Sequence, residues 1–444
     1  MPENYTPALD NNNSEAQNHF DQGLKFAEQG MVDNALTAFR QAIKLAPDWA
    51  AAHYNLGIAL FDQGNIDQSI VAYKKALDLG LGDQSALAYN NLGNAVARKN
   101  DKKLAISFYE KAISLKPDLA VTHYNLGLEL SGQNKPDTLR RALDYFRNAL
   151  TLKPDYPDAL NSLGIVLGKL GKLDEAVKTF SQVIRLNPDY HPAYTNLGKA
   201  YSDQGKFAMA LNAYRKSIEL APNDYLTYVN LASVYYRKKQ LDKAAEYYQK
   251  AAELAPADID VQMSLARVFL DKGLLEQAEE VYRKLVQGHP TNYLAHYDLG
   301  CVLERKNRLD DAIASYRRAI ELKPDYAPAH YNLGATYRRN SDLRAALAAY
   351  QAALKIYEAN RDWLAMARCC FHSGIVYSGL CSYGNAKKMH LDSLKLAVKI
   401  KDKGLMAANY TMLIGVYGQL EDVKSVRQTA RELLKITTGK SKRI

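Results

Sequence analysis

The chain contains 444 residues, of which 47% are hydrophobic and 24% are charged, and its formal net charge is +10. Its sequence has no apolar run near the ~18 residues that a membrane-spanning helix needs, which argues against a transmembrane segment. The polar beginning lacks a basic stretch followed by an apolar one, so we expect no secretory signal and a cytoplasmic location.

Prolines recur at a fixed interval of 34 residues, at Pro154, Pro188, Pro222, Pro256, Pro290 and Pro324. Around them the same skeleton repeats: Asn-Leu-Gly or a close variant, a small residue twelve positions after the glycine, and an aromatic residue four positions later. A fixed period of roughly 20 to 50 residues indicates supersecondary units that stack into a solenoid. Because proline cannot continue a helix, we expect each proline to set the turn into the next unit.

The register of these repeats can be followed over most of the chain. With the glycine of Asn-Leu-Gly numbered as repeat position 8, that position holds Gly23, Gly57, Gly93, Gly127, Gly164, Gly198, Ala232, Ala266, Gly300, Gly334, Gly374 and Ile414. Gly or Ala at position 8 and Ala at position 20 let two antiparallel helices approach closely. The aromatic ring at position 24 and the apolar residues at positions 7 and 11 are predicted to fill the seam with the next repeat.

These residues resemble the tetratricopeptide repeat family over roughly residues 16 to 434. The resemblance implies an all-α fold, an α-solenoid that forms a right-handed superhelix of about twelve helix-turn-helix units. The predicted organisation is a disordered N-terminal segment at 1–15, ten units at 16–49, 50–85, 86–119, 120–156, 157–190, 191–224, 225–258, 259–292, 293–326 and 327–358, two divergent units at 359–436 and a basic tail at 437–444. The two divergent units look like a longer variant of the repeat, of about forty residues.

Repeat position 6 is rich in asparagine, at Asn55, Asn91, Asn125, Asn196, Asn230 and Asn332. In this fold the first helix of each unit lines the concave wall, and positions 2, 5, 6, 9, 12 and 13 share its inward face. An asparagine carries both an amide donor and a carbonyl acceptor, so a ladder of them can bond the main chain of an extended peptide. The arrangement is similar to the asparagine ladder in the repeat arm of O-linked N-acetylglucosamine transferase, although this sequence contains no glycosyltransferase domain. The alternative is that each asparagine bonds a neighbouring helix.

Arginines join this face from the seventh repeat onward, at Arg237, Arg267, Arg305 and Arg338. Together with nearby tyrosines they suit a peptide that carries carboxylates or aromatic anchors. The asparagines and these arginines therefore form the predicted peptide-binding groove. Single-stranded RNA would also suit arginines and tyrosines, but Asp271, Asp298 and Glu304 on the same stretch oppose a phosphate backbone, so we do not expect a nucleic acid partner.

The positive charge is concentrated near the C-terminal end of the sequence. Residues 361–444 hold fifteen Lys and Arg against six Asp and Glu, which accounts for +9 of the net charge of +10. A basic patch is predicted at Lys387, Lys388, Lys395, Lys399, Lys401 and Lys403, and a short basic tail follows. Such a patch can attract an acidic protein or an anionic membrane surface, and the alternative is an ordinary solvated helix face.

No catalytic, metal or cofactor site is predicted. Five of the nine histidines occupy repeat position 4, which indicates a structural role, and the four cysteines have neither metal-ligand nor disulfide spacing and are expected to be buried. The sequence therefore predicts a non-enzymatic scaffold or adaptor that binds extended segments of other proteins in its groove. Two alternatives remain: an RNA-associated helical-repeat protein, and an assembly or regulatory factor docked to a membrane or acidic partner through its basic end.

Overall fold

The computed structural model describes residues 14–438, and within that range the chain forms 24 α-helices, one short 3-10 helix and no strand. The predicted all-α fold is confirmed. Most of the segment expected to be disordered, and most of the predicted basic tail, lie outside the described residues. The first helix already begins at Ser14, within the segment expected at 1–15.

The helices belong to two compact units, the first ending at Asn230 and the second beginning at Leu231. Unit 1 contains α1 (Ser14–Glu28), α2 (Val32–Leu45), α3 (Ala50–Asp62), α4 (Ile66–Leu79), the 3-10 helix Gly82–Gln84, α5 (Ser85–Arg98), α6 (Lys102–Leu115), α7 (Ala120–Ser131), α8 (Pro136–Leu152), α9 (Pro157–Lys169), α10 (Leu173–Leu186), α11 (His191–Asp203) and α12 (Phe207–Leu220). The division between the units falls within α13 (Tyr225–Arg237).

Unit 2 continues with the remaining helices, α14 (Leu241–Leu254), α15 (Ile259–Lys272), α16 (Leu275–Gly288), α17 (Tyr293–Arg305), α18 (Leu309–Leu322), α19 (Ala327–Arg339), α20 (Leu343–Ala359), α21 (Trp363–Gly379), α22 (Tyr383–Ile400), α23 (Lys403–Gln419) and α24 (Val423–Thr438). From α1 to α12 in unit 1, and from α14 to α24 in unit 2, each helix packs against the next one along the chain. This sequential packing is that of an α-solenoid, as predicted. The handedness of a superhelix stays a prediction.

The glycine at repeat position 8 is required by the aromatic ring at position 24 of the same helix pair. A Cβ atom on Gly164 would lie 2.5 Å from Cε1 of Phe180, and one on Gly198 would lie 2.6 Å from Cε1 of Tyr214. Both rings are buried. The ring therefore packs directly on the glycine of its own helix pair. Some of these rings also reach the next repeat, as predicted: Oη of Tyr282 donates to Asp298, and the ring of Tyr350 stacks on that of His372.

Each of the prolines that recur every 34 residues follows the second helix of a pair. Pro324, for example, stands two residues after the last residue of α18, Leu322. Its carbonyl oxygen accepts a hydrogen bond from Nε2 of His330, at 2.9 Å. The same contact joins His53 to the carbonyl oxygen of Pro47 at 2.8 Å. The histidines at repeat position 4 therefore brace the turn between repeats, because they bond a carbonyl that the helix end leaves without a partner.

Helices near the end of unit 2 are longer than most of those before them. The five helices from α20 to α24 contain 16 to 18 residues each, whereas α15 to α19 contain 13 or 14. The pair α21 and α22 keeps the packing of the other repeats with one change, since His390 replaces the aromatic ring that faces the glycine, here Gly374. His390 is fully buried.

Candidate functional site

One wall of each unit is built from the odd-numbered helices. In unit 1 every odd-numbered helix from α1 to α11 touches the next one, and in unit 2 the same holds from α15 to α23. Among the described helices within each unit, no two successive even-numbered helices pack in this way. Since helices on the inside of a curved stack lie closer together than those on its outside, the odd-numbered helices form the inner wall. All predicted groove residues lie on these helices.

The asparagines at position 6 bond from one odd-numbered helix to the preceding one. Nδ2 of Asn91, on α5, donates to Oη of Tyr54 on α3 at 3.0 Å. Nδ2 of Asn125, on α7, donates to Oδ1 of Asn90 and to Oδ1 of Asn94 on α5, both at 3.1 Å. These distances are those of ordinary hydrogen bonds. The amide donors of the ladder therefore brace neighbouring repeats.

The same contact recurs farther along both units. Nδ2 of Asn196, on α11, donates to Oδ1 of Asn161 on α9 at 2.9 Å. In unit 2, Nδ2 of Asn332, on α19, donates to Oη of Tyr297 on α17 at 3.0 Å. In each case the acceptor stands at repeat position 5 of the preceding repeat. This bond between repeats could have been predicted from the sequence, because position 5 holds a hydroxyl or amide group wherever the bond forms.

One member of the predicted ladder bonds within its own helix. Asn55 is 1% exposed and its Nδ2 donates to the carbonyl oxygen of Ala51 in its own helix, at 3.0 Å. Asn230 lies half-buried on α13. The carbonyl oxygens of Asn125 and Asn196 accept no hydrogen bond from any described residue, and both side chains are half-buried. The amide donors therefore follow the alternative prediction, in which each asparagine bonds a neighbouring helix. The two carbonyl oxygens have no hydrogen-bond donor among the described residues.

A cavity opens on the inner wall of unit 1 beside these asparagines. Its volume is about 570 Å³. Polar groups from α3 and α5 and apolar side chains share its lining, which consists of Tyr54, Ile58, Phe61, Asp62, Tyr73, Leu87, Asn90, Asn91, Asn94, Leu119, Val121 and Lys153. Burial raises the pKa of Asp62 above its usual value. A cavity that combines apolar surface with a few fixed polar groups is suited to hold a side chain of a bound peptide.

At one position in unit 2 a charged pair takes the place of the amide. Position 6 of the repeat on α17 is Asp298, which is 2% exposed. NH2 of Arg267, on α15, donates to both carboxylate oxygens of Asp298 at 2.7 and 2.6 Å, and Oη of Tyr282 donates to it at 3.3 Å. Burial raises the pKa of Asp298, and the charge of Arg267 opposes that shift. Arg267 thus joins two successive odd-numbered helices, as an asparagine does in unit 1.

The other predicted arginines differ in their surroundings. NH1 of Arg305 donates to the carbonyl oxygen of Leu270 at 2.8 Å, so this side chain also serves as a brace. Arg338 is half-buried on α19 and forms no ion pair with a carboxylate among residues 14–438. Arg237 is exposed at the end of α13. Arg339, next to Arg338, pairs with Glu304 at 3.0 Å.

Sequence profiles of known families match along most of this array. A profile described as TPR repeat matches residues 23–64, 169–205 and 305–341, and profiles described as tetratricopeptide repeat match 49–118, 195–259, 235–297 and 327–360. The chain belongs to the tetratricopeptide repeat family. Members of this family serve as interaction scaffolds for other proteins, and the sequence resemblance is confirmed.

Solved structures of other tetratricopeptide repeat proteins are similar to parts of the chain. MamA is 26% identical, with a TM-score of 0.34, and the match covers 37% of this chain and 94% of MamA. YrrB, described as a TPR protein with an unusual peptide-binding site, is 27% identical, with a TM-score of 0.38, and the match covers 46% of this chain and 98% of YrrB. A tetratricopeptide repeat protein from Parabacteroides merdae is 18% identical, with a TM-score of 0.46, over 58% of this chain and 99% of that one. No curated protein matches the chain.

The predicted basic patch of this tetratricopeptide repeat protein lies around α22. Lys387, Lys388, Lys395 and Lys399 are on that helix, Lys401 follows it and Lys403 begins α23. None of the six forms an ion pair with a carboxylate within residues 14–438. Nζ of Lys399 lies 3.3 Å from the ring centroid of Trp363, and two apolar side chains on α22 are exposed, Leu391 at 39% and Val398 at 51%. Lys440, Lys442 and Arg443 of the predicted tail are outside the described residues.

The remaining sequence predictions concern metals, thiols and membranes. Within residues 14–438 no cluster of three or more His, Cys, Asp or Glu side chains could hold a metal ion. Cys369 and Cys370 are buried as predicted, but Cys301 is half-buried and Cys381 is exposed, so the expectation of four buried thiols is wrong for these two. Cys381 lies in the turn after α21 at a positive φ of 56°, where its side chain faces no core. Among the described helices none is long and apolar enough to cross a membrane.

Proposed function

We propose that this protein is a non-enzymatic, cytoplasmic scaffold that binds extended segments of partner proteins along the inner wall of its helix pairs. The observation that carries this proposal is the cavity of about 570 Å³ on the inner wall of unit 1. Its volume lies within the roughly 300 to 1,000 Å³ of known ligand sites. Three asparagines and two tyrosines line it, so one cavity offers both apolar surface and hydrogen-bonding groups.

The bonded asparagines define how such a segment would be held. The Nδ2 atoms of Asn91, Asn125 and Asn196 already donate to neighbouring helices. The carbonyl oxygens of Asn125 and Asn196 accept no hydrogen bond from residues 14–438, and an extended peptide presents main-chain N–H donors along its length. We therefore propose that the ladder accepts hydrogen bonds from the partner's main chain, while its amide nitrogens keep the wall in shape.

Peptide selection with the full chain tests this function. Peptides enriched from a random displayed library would be synthesised, and their affinity measured for the wild type and two variants. Asp62→Arg places a long side chain in the cavity, because Asp62 lines it. Val71→Arg is the matched control, since Val71 is 66% exposed on the even-numbered helix α4.

We expect Asp62→Arg to weaken the selected peptides by on the order of tenfold, which corresponds to about 1.4 kcal/mol. Val71→Arg should leave their affinity unchanged. A selection that yields no peptide, or peptides that bind all three proteins equally, would contradict the proposal that the inner wall of unit 1 is the binding surface. Chemical unfolding of both variants establishes that the comparison is made on folded protein.

A second candidate function rests on the unpaired lysines of α22. Lys388 and Lys395 have no carboxylate partner among the described residues, and the apolar side chains Leu391 and Val398 are exposed on the same helix. Cations beside exposed apolar groups suit an anionic membrane surface, where each lysine contributes about 1 kcal/mol. We propose this surface as a peripheral membrane contact.

Vesicle sedimentation with the full chain tests the second function. Binding to vesicles that contain phosphatidylserine should exceed binding to phosphatidylcholine vesicles and fall with added salt. Lys388→Glu combined with Lys395→Glu should abolish it. The matched control changes two exposed lysines of α4, Lys74→Glu with Lys75→Glu, which alters the net charge equally. Equal loss in both double variants would indicate a response to net charge alone and reject α22 as the contact.

A further inference from the structure

Two arginines on the inner wall of unit 2 lack the partners that the other arginines of that wall have. Arg267 pairs with Asp298 and Arg339 pairs with Glu304. Arg338 on α19 and Arg368 on α21 form no ion pair with any residue between 14 and 438. Both helices are odd-numbered and touch each other. The wall therefore carries a local excess of positive charge at this point.

The two guanidinium groups lie near the same rings. The positive charges of Arg368 and Arg338 both act on Tyr331, whose pKa is raised mainly by burial and lowered by these charges. Both also act on His372, where burial, Arg338, Arg368 and His390 lower the pKa to about 4. No carboxylate of the described residues pairs with either guanidinium, so the two positive charges repel each other. An anion bound between them would therefore be stabilised.

Polar atoms at the base of this region also lack hydrogen-bond partners. Nδ1 of His372 is buried without one, and Nε of Arg338 and Oη of Tyr350 have none of good geometry, although the guanidinium of Arg338 lies close enough to that hydroxyl to oppose the rise of its pKa. The rings of Tyr350 and His372 stack with centroids 5.7 Å apart, and the ring of Tyr331 meets His372 edge-on at 5.7 Å. Buried polar groups are nearly always bonded in folded proteins, so three such atoms in one place require a physical explanation.

We propose that Arg338 and Arg368 form a subsite that binds one aspartate or glutamate side chain of a partner's extended segment. This inference rests on the proposed scaffold function and assigns the chemistry of the segment over unit 2. A guanidinium group has a planar fork of donors that matches a carboxylate, and two forks can hold one carboxylate from both sides. Arg368 is exposed and Arg338 half-buried, so the pair is accessible from the groove.

The distribution of charge favours a peptide over RNA at this subsite. A nucleic acid strand carries a phosphate at every nucleotide and requires a run of available cations. On the neighbouring inner-wall helices α15 and α17, Arg267 is paired with Asp298 and Arg305 donates to a backbone carbonyl. On this stretch of the described wall Arg338 and Arg368 have neither a carboxylate nor a backbone carbonyl as a hydrogen-bond partner, and one such pair of cations matches a single carboxylate.

The test uses two synthetic peptides and the full chain. Both peptides are acetylated and amidated, with the sequence Gly-Ser-Gly-Ser-X-Ser-Gly-Ser-Gly, where X is glutamate in one and glutamine in the other. Binding is followed through the side-chain Nε–Hε resonances of the arginines and the ring resonances of His372. We expect the glutamate peptide to bind on the order of tenfold more tightly, as a charge-assisted pair requires, and the resonances of His372 to shift with it.

Variants decide whether the arginine pair causes this preference. Arg338→Gln with Arg368→Gln should reduce the ratio of the two affinities to near one. Arg344→Gln should preserve it, because Arg344 is exposed on the even-numbered helix α20. Arg368→Gln alone should reduce the ratio in part, and since Arg368 is exposed this single variant tests the subsite even where the double variant is poorly folded.

Four outcomes would overturn the inference. Equal binding of both peptides to the wild type would remove the carboxylate preference and leave the scaffold function standing. If neither peptide binds, the inference is also wrong. The scaffold function is tested separately by the effect of Asp62→Arg on peptides bound over unit 1. Equally tight binding by the glutamine peptide with a free C-terminus would assign the pair to a terminal carboxylate. If hexauridylate binds more tightly than the glutamate peptide and the double variant loses this binding, the arginine pair is a phosphate site.

Discussion

Replacing Gly164 by alanine tests the packing that holds each helix pair together. A Cβ atom at this position would lie 2.5, 2.7 and 2.9 Å from Cε1, Cζ and Cδ1 of Phe180. Carbon atoms that are not bonded to each other approach to about 3.5 to 4.0 Å at their optimum, so the ring has to move by close to 1 Å. Phe180 is only 3% exposed, and its surroundings resist that movement.

The magnitude follows from two opposing terms. Overpacking of a filled core costs about 1 to 3 kcal/mol of unfolding free energy. Alanine is about 1 kcal/mol more favourable than glycine inside a helix, so the net loss for Gly164→Ala is about 0 to 2 kcal/mol. Gly168→Ala makes the same change in the same helix, α9, where the new Cβ would meet no atom within 4 Å. Because the helix term is common to both variants, their difference isolates the overlap at about 1 to 3 kcal/mol.

Urea unfolding of the full chain measures this difference, and hydrogen exchange locates it. Each pair of a repeat protein contacts only its neighbours, so faster exchange in Gly164→Ala should appear first in α9, α10 and the adjoining helices. Gly168→Ala should be as stable as the wild type or more stable. Equal stability of the two variants would show that the ring of Phe180 moves freely and would refute the packing argument. Loosening throughout both units would contradict its locality.

Two further predictions concern the inner wall. Asn125→Ala and Asn196→Ala should each lower the unfolding free energy by about 0.5 to 1.5 kcal/mol, because each removes hydrogen bonding between neighbouring helices. An unchanged melting temperature together with weakened peptide binding would show instead that the amide donors contact the partner. Stability should also fall as the pH drops from 6.5 towards 4, since His372 keeps a pKa of about 4 when folded while the unfolded chain binds a proton near pH 6.5. The contribution of His372 reaches about 3 kcal/mol. His372→Phe should reduce the difference between urea midpoints at pH 7 and pH 4.5 without abolishing it, because burial also lowers the pKa of His390. The same pH dependence in that variant as in the wild type would contradict the assignment.

The fold could be predicted from sequence because its signals are periodic and local. Glycine at position 8, alanine at position 20 and proline at the turn act within one helix pair, and each has a steric reason that holds in every repeat. The ring at position 24 reaches the next repeat as predicted, for example where Tyr350 stacks on His372, but it also covers the glycine of its own pair. Its spacing of sixteen residues from that glycine, as between Gly164 and Phe180, fits a contact across the turn of one pair, and only the positions of the atoms show that the rings serve in both places.

The candidate site was less predictable, because spacing gives the face of a helix and not the partner of a side chain. The asparagines lie on the inner wall as expected, but their bonds run to position 5 of the preceding repeat, as between Asn91 and Tyr54. Arg267 and Arg338 look alike in sequence, yet one pairs with a buried aspartate and the other with no carboxylate among the described residues. Arg368 was missed because it lies in a divergent repeat, where the register had no neighbouring asparagine to mark the inner face.

The groups of the inner wall that bond neighbouring helices to each other are not available to a partner, and unit 2 adds a charged brace to the amide braces that both units have. In unit 1 neutral amides brace the helices through their nitrogen atoms, so the groups left over at Asn125 and Asn196 are carbonyl acceptors. In unit 2 Asn332 does the same, but the carboxylate of Asp298 also braces two helices through Arg267, and Arg338 and Arg368 have no carboxylate partner among the described residues. A segment bound over unit 1 is therefore held by its main-chain donors, which every sequence has, whereas one bound over unit 2 is selected by a side-chain carboxylate. Sequence preference should accordingly reside in unit 2 and general affinity for extended chain in unit 1.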